Sequence, residues 1–308
     1  MAQRNDIDAH IKPLDMNGLA GRMAYLPAPA GKRAEILFVY GQHSSLERWW
    51  GLLQYVNKYG AVTAPDLPGF GGMESFYKIG TKPTLDNYAD YLAAFVKMRY
   101  RRKKVIIVGM SFGFVVATRM LQRCPELSGH VRMLVSLAGL THRDDFIFTK
   151  WRYRSYWLLG KVCSHWLPAT LYRFLFLNSF VLRHTYDHTY QARGKFAAAR
   201  SPEEFKRFMD MEIHLWHVND PRTHAYTLVE LLTLDNCAKR LGTPLWHVTV
   251  HGDQYLDPIQ VEQHLHVAFE KVHLTESKIK NHAPSIIADE EAAAPLIPSK
   301  LRRVMSRL

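Results

Sequence analysis

Five residues, Gly109-Met110-Ser111-Phe112-Gly113, constrain the fold of this chain more than any other stretch. An aliphatic run, residues 105–108, stands immediately before them, and an apolar-periodic stretch, residues 112–122, follows and ends at Cys124-Pro125. The first reads as a strand buried on both faces and the second as a helix. Joining the two in so few residues requires a sharp turn, with glycines letting neighbouring backbone pass where a Cβ would clash. The serine at the apex is then held in a strained conformation, with its hydroxyl presented at the end of the strand. The pattern G-x-S-x-G alone recurs by chance, and its place between strand and helix gives it weight.

Further aliphatic or β-branched runs fall at 35–40, 61–64, 132–138, 246–250 and 271–275, with amphipathic helical stretches at 46–59 and 85–98. Thr84 stands ready to cap the second of these helices. Strand alternating with helix predicts an α/β protein with a doubly wound, mostly parallel sheet. The alternation breaks between about 141 and 240, a stretch rich in Trp, Tyr, Phe, Arg and His that reads mostly helical. The expected organisation is a core from 1–140 and 241–308 with a helical cap, 141–240, inserted into the sheet connections. A last helix is expected at 284–291, followed by an Ala/Pro break and a basic end.

The formal net charge of +12 favours anionic partners, and its location matters more than its sum. Residues 141–200 hold ten Lys/Arg against three Asp/Glu, and further clusters occur at 101–104 and among the last ten residues. No zinc-finger spacing or aromatic–basic RNA motif accompanies them, which argues against nucleic acid as a partner. The three cysteines, Cys124, Cys163 and Cys237, make neither a disulfide framework nor a CxxC pair. The polar N-terminus lacks the apolar stretch of a signal peptide, and residues 156–182 are too interrupted to span a bilayer. The expectation is a cytoplasmic protein. His214 with His217, and His184 with His188, are spaced as helical pairs, but neither belongs to an HExxH pattern and no metal site is expected. With no GxGxxG or P-loop, no cofactor is expected either. The aromatic residues of 150–183 are read first as the packing of the cap and the wall of an apolar pocket. Their basic neighbours allow at most weak association with an anionic membrane surface. The oligomeric state is open.

Beyond the serine turn, Asp66-Leu67-Pro68-Gly69-Phe70-Gly71 and Tyr40-Gly41-Gln42-His43 stand after predicted strands. With them the chain resembles the α/β-hydrolase superfamily over most of its length, the cap excepted, in its serine esterase and lipase-like branch. The resemblance implies that Ser111 is a nucleophile and that the order along the chain is serine, acid, histidine. It implies that the backbone N–H groups of Phe112 and Gln42 form the oxyanion hole. Tyr40, where the family usually has His, and the bulky Phe112 depart from the pattern and bear on the shape of the acyl pocket.

Sixteen histidines are available, several of them inside predicted strands (His247, His273) or a helix (His264, His266), with His251 at a strand end. His282 follows the last strand, where the family carries its histidine loop, and is the expected base. Two acids follow the run 246–250. Asp253 fits the family spacing, while Asp257, followed by Pro258, is the alternative acid or an N-cap. Asp66 is expected to be structural. A serine rather than an aspartate in the turn excludes the alkyl–enzyme chemistry of dehalogenases and epoxide hydrolases. The expected activity is hydrolysis of a small-molecule carboxylic ester, with a lactone as a close variant. A C–C hydrolase, an acyltransferase or a non-catalytic membrane-surface or binding member are the alternatives.

Overall fold

A computed structural model describes residues 6–188, 201–250, 252–279, 282, 286–287 and 289–307. Its centre is an eight-stranded sheet in the order β1-β2-β4-β3-β5-β6-β7-β8. The strands are β1 (Ile11–Met16), β2 (Leu19–Leu26), β3 (Ala34–Val39), β4 (Gly60–Pro65), β5 (Val105–Met110), β6 (Val131–Leu137), β7 (Leu245–Val250) and β8 (Val272–Ser277). From β4 to β8 every pairing is parallel. β4 and β5 are buried at every residue, which is why they read as unbroken apolar runs.

The sheet begins with an antiparallel β1–β2 hairpin that the aliphatic runs do not disclose. Its strands are half exposed and carry polar residues, so they lack the fully buried signature. Asn17 and Gly18 turn it with φ of 55° and 79°, the left-handed pair that a two-residue hairpin turn requires. That Asn-Gly dipeptide was the available signal.

Helices cover the sheet between strands: α1 (Trp50–Asn57), α2 (Leu85–Arg99) and α3 (Phe112–Arg123). Thr84 caps α2 as expected, its Oγ1 accepting from the Asn87 N–H. Between β6 and β7 come α4 (Lys150–Cys163), α5 (Trp166–Phe176), α6 (Ser179–His188), α7 (Pro202–Val218) and α8 (Pro221–Leu232). α9 (Pro258–Ala268) joins β7 to β8, and the chain closes with α10 (Glu290–Ala293) and α11 (Ser299–Ser306).

The helical insertion holds a small core of its own, Leu177, Leu182, Met209 and Ile213. It is tied to the sheet domain by polar contacts. The Glu230 carboxylate accepts from the Leu85 N–H at 2.7 Å, and Asn219 Oδ1 accepts from the Gly71 N–H at 2.8 Å. The expectation that its aromatic residues line a pocket fails for many of them. Trp151, Leu158, Trp166, Leu171 and Phe174 are exposed, because α4 and α5 bury only narrow faces around Gly160 and Ala169.

The last helix expected at 284–291 is not formed as drawn. Of that stretch, residues 284, 285 and 288 lie outside the described residues. Ile286 and Ile287 are buried and not helical, and Ile287 exchanges backbone hydrogen bonds with Arg48 and Gly51. With its N–H and carbonyl both committed to Arg48 and Gly51, Ile287 cannot continue a helix, and the helix begins only after Asp289 caps it. The basic end is itself a helix, α11, which buries Leu301 and Met305 and leaves its arginines outside.

On β7, His247 is fully enclosed, with Nδ1 2.9 Å from Ser136 Oγ. Burial lowers its pKa to about 4. The unfolded chain therefore takes up this proton first on acidification. The stability that depends on neutral His247 is complete above about pH 6.5 and drains as pH falls towards 4, up to about 3 kcal/mol in all. Urea midpoints of the wild type should fall across this window more steeply than those of His247→Gln. Parallel profiles would contradict the assignment.

Candidate active site

Ser111 closes β5 and opens α3 at φ 48° and ψ −115°, a conformation that a non-glycine residue adopts only under constraint. The constraint is visible. Its N–H donates to the Leu137 carbonyl on β6, and its own carbonyl accepts from Phe114 and Val115 in the first turn of α3. The glycines are required by contact. A Cβ on Gly113 would lie 2.0 Å from the Val39 carbonyl oxygen, and one on Gly109 would lie 2.6 Å from the Phe114 Cα. The sheet, the turn and the helix can approach this closely only with hydrogen at both positions.

The hydroxyl so presented meets His282. Ser111 Oγ is 2.9 Å from His282 Nε2, and His282 Nδ1 is 2.6 Å from Asp253 Oδ2. The other Asp253 oxygen accepts from the backbone N–H groups of Tyr255 and Leu256, which fixes the carboxylate after β7. Asp257 has a different occupation. It caps α9, accepting from Ile259 and Gln260 with Pro258 in the first turn. Of the two acids that the sequence leaves open, Asp253 is the one joined to the imidazole. Asn281, Ala283 and Pro284, which frame His282 in the sequence, lie outside the described residues, as does His251.

Beside Ser111 runs the loop after β3. A Cβ on Gly41 would stand 3.3 Å from Ser111 Cβ, so the backbone of this loop borders the hydroxyl directly. The Gln42 side chain is drawn away from the site: its Nε2 donates to the His224 carbonyl and to Thr227 Oγ1 on α8. Phe112, first residue of α3, has an N–H with no intrahelical acceptor, while its ring is buried edge-on against Tyr88. The bulky side chain thus belongs to the core.

Tyr40, the other departure from the family pattern, is explained by what lies beneath the loop. Its buried hydroxyl donates to Asp66 Oδ1 at 2.7 Å and accepts from the Leu67 N–H at 2.9 Å. Asp66 Oδ2 receives Arg22 Nε at 2.7 Å, and the same guanidinium forks onto Glu47. Burial pushes the Asp66 carboxyl up to about 7, against the pull of Arg22. Asp66, expected to be structural, joins the loop after β4 to the loop after β3.

Several residues around the site carry no motif. Tyr255 lies edge-on to His282, with centroids 5.5 Å apart. Burial raises its phenol pKa, reinforced by charges that include Asp253 and Glu212. From the insertion, Trp216 packs on His43 at 4.0 Å and His224 on both rings. Glu212, fully buried, places its carboxylate 3.9 Å from His43 Nε2. The available signal was a carboxylate in the apolar stripe Phe208, Glu212, Leu215 of α7. His217 turns outward to Ser179, and the side chain of His188 lies outside the described residues. Among the described residues no group of three or more His, Cys, Asp or Glu is arranged to hold a metal ion.

Residues 30–223, more than half of the chain, match the family model described as serine aminopeptidase, S33. No curated protein matches the sequence. Solved structures do match. An esterase from Thermogutta terrifontis superposes with a TM-score of 0.64 at 14% identity, covering 96% of this chain and 98% of the other. A deformylase from Pseudomonas putida S16 gives 0.63 at 16%, covering 92% and 98%. A bacterial membrane phospholipase A gives 0.66 at 13%, covering 100% and 91%. At such identities the likeness is one of fold.

Tyr40→Phe removes the donor to Asp66 and the acceptor of Leu67 while leaving the ring in place. The variant should lose about 1–3 kcal/mol in chemical denaturation, the cost of stranding buried polar groups. Unchanged stability would show that the network does not hold the two loops together.

Proposed function

Because the chain belongs to the serine aminopeptidase S33 family of α/β-hydrolases, we propose that this hydrolase cleaves carboxylic esters through an acyl-enzyme on Ser111. The observation that carries the reading is the hydrogen-bonded chain Ser111–His282–Asp253, set at the carboxyl ends of β5, β8 and β7. Ligands of open α/β sheets bind at that edge.

In this reading the Ser111 hydroxyl attacks the ester carbonyl while His282 Nε2 takes its proton. Asp253, bonded to Nδ1–H, holds the tautomer and stabilises the imidazolium without accepting the proton. The oxyanion that forms is met by the backbone N–H groups of Phe112 and Gln42. Collapse expels the alcohol, which takes the proton from His282. Water, deprotonated by the same imidazole, then attacks the acyl-enzyme, and the carboxylic acid leaves with Ser111 restored. The insertion, with His43, Trp216 and Tyr255 at its boundary, acts as a cap that shapes the acyl site. Names among the similar structures, an esterase and a phospholipase, support ester chemistry.

The test is hydrolysis of a p-nitrophenyl ester series from acetate to palmitate. Ser111→Ala should lower kcat/KM by about a millionfold, and Asp253→Asn by about ten-thousandfold. Asp257→Asn should keep its rate, since Asn also serves as an N-cap. No wild-type turnover on any ester would move the reading to C–C hydrolysis or acyl transfer. Equal rates in wild type and Ser111→Ala would remove Ser111 from the mechanism.

A further inference from the structure

The outer face of the insertion is apolar, aromatic and basic at once. Both α4 and α5 lie on α8, and Gly160 permits the approach, since a Cβ there would meet Val229 Cγ2 at 2.8 Å. The faces turned from α8 therefore form the outermost layer. On α4, Trp151 and Leu158 recur along one stripe, exposed by 78% and 60%. On α5, Trp166 and Phe174 are exposed by 66% and 74%, and Phe180 on α6 by 80%. Soluble proteins rarely leave so many large apolar side chains together in water without a partner.

Charge says what the partner is. From residue 146 to residue 186 the sequence contains six Lys/Arg and no Asp or Glu. Lys150, Arg154 and Lys161 are exposed on α4, and Lys161 Nζ sits 5.6 Å from the centre of the Trp157 ring. Indole rings with a cationic rim match a bilayer interface, where the rings reach the acyl boundary and the cations meet the headgroups. No helix among the described residues is long and apolar enough to cross a membrane. The surface is suited to lying on one.

We propose that the α4–α5 face of the insertion docks this protein on an anionic phospholipid bilayer. The weak association that the sequence suggests becomes stronger once these side chains are seen to be outside rather than in a pocket. The location is also close to the candidate site. Tyr156, partly buried on α4, packs edge-on to Phe148, Phe148 to Tyr255, and Tyr255 to His282. A docked face would bring the candidate site within one helix layer of the lipid. The docking does not depend on which bond the site cleaves.

The experiment is flotation of the purified protein with vesicles of phosphatidylcholine alone or mixed equally with phosphatidylglycerol. Wild type should float with the mixed vesicles at least about tenfold better than with the neutral ones, and less so as salt is raised. Trp151→Ser/Trp166→Ser/Phe174→Ser should stay at the bottom of the gradient. Lys150→Glu/Arg154→Glu/Lys161→Glu should lose the preference for anionic lipid. Circular dichroism melting keeps these variants comparable to wild type in fold, and single substitutions replace any set that melts early. Failure of wild type to float, or equal flotation with both vesicles, overturns the proposal. So does a wild-type dimer that the aromatic variant converts to monomer in light scattering, since the face would then belong to a second copy.

Discussion

A serine held at positive φ between a strand and a helix is the point on which the rest of this structure depends. Left-handed backbone at a residue with a Cβ is unfavourable by itself, and persists only where the surroundings over-determine it. Here β6 fixes the Ser111 N–H, the first turn of α3 fixes its carbonyl, and β3 presses on Gly113 from behind. Those three contacts require β3, β5 and β6 to be adjacent and parallel, which is the order found. The strain at one residue and the topology of the sheet are in this sense the same constraint.

The insertion reaches the site through polar ties and through the packing of Trp216 and His224 on His43. Gln42 is held by the α8 backbone, Gly71 by Asn219, and Leu85 by Glu230. Such contacts are directional and fix position, while Leu231, Leu234 and Trp216 add apolar packing against the sheet domain. Within the insertion, α7 and α8 carry the contacts to the site, and α4 and α5 carry the exposed apolar residues.

How much of this was legible depended on burial. The inner strands announce themselves because parallel strands covered by helices are near-continuously apolar, as at Val105–Met110, while the edge strand β8 is half exposed. The β1–β2 hairpin, exposed on one side, showed itself only in Asn17-Gly18. Ser111 and His282 could be named because a turn geometry and a chain order restrict them. The choice between Asp253 and Asp257 could not be completed, since both are acids that accept backbone N–H groups and only coordinates show which also meets an imidazole. Glu212 was hidden for a different reason. A carboxylate within an amphipathic helix reads as a solvated face unless its register against the apolar stripe is followed. Trp151, Trp166 and Phe174 were expected against a pocket and stand exposed, because composition does not tell which side of a helix is covered.

The claim that Ser111 is the nucleophile is tested most directly by covalent capture. The wild-type protein is incubated with a fluorophosphonate, digested and sequenced by mass spectrometry. Displacement of fluoride by Ser111 Oγ predicts a single phosphonyl adduct on the peptide that carries Gly109-Met110-Ser111-Phe112-Gly113. No adduct, or an adduct on another residue with Ser111 unmodified, would contradict the account.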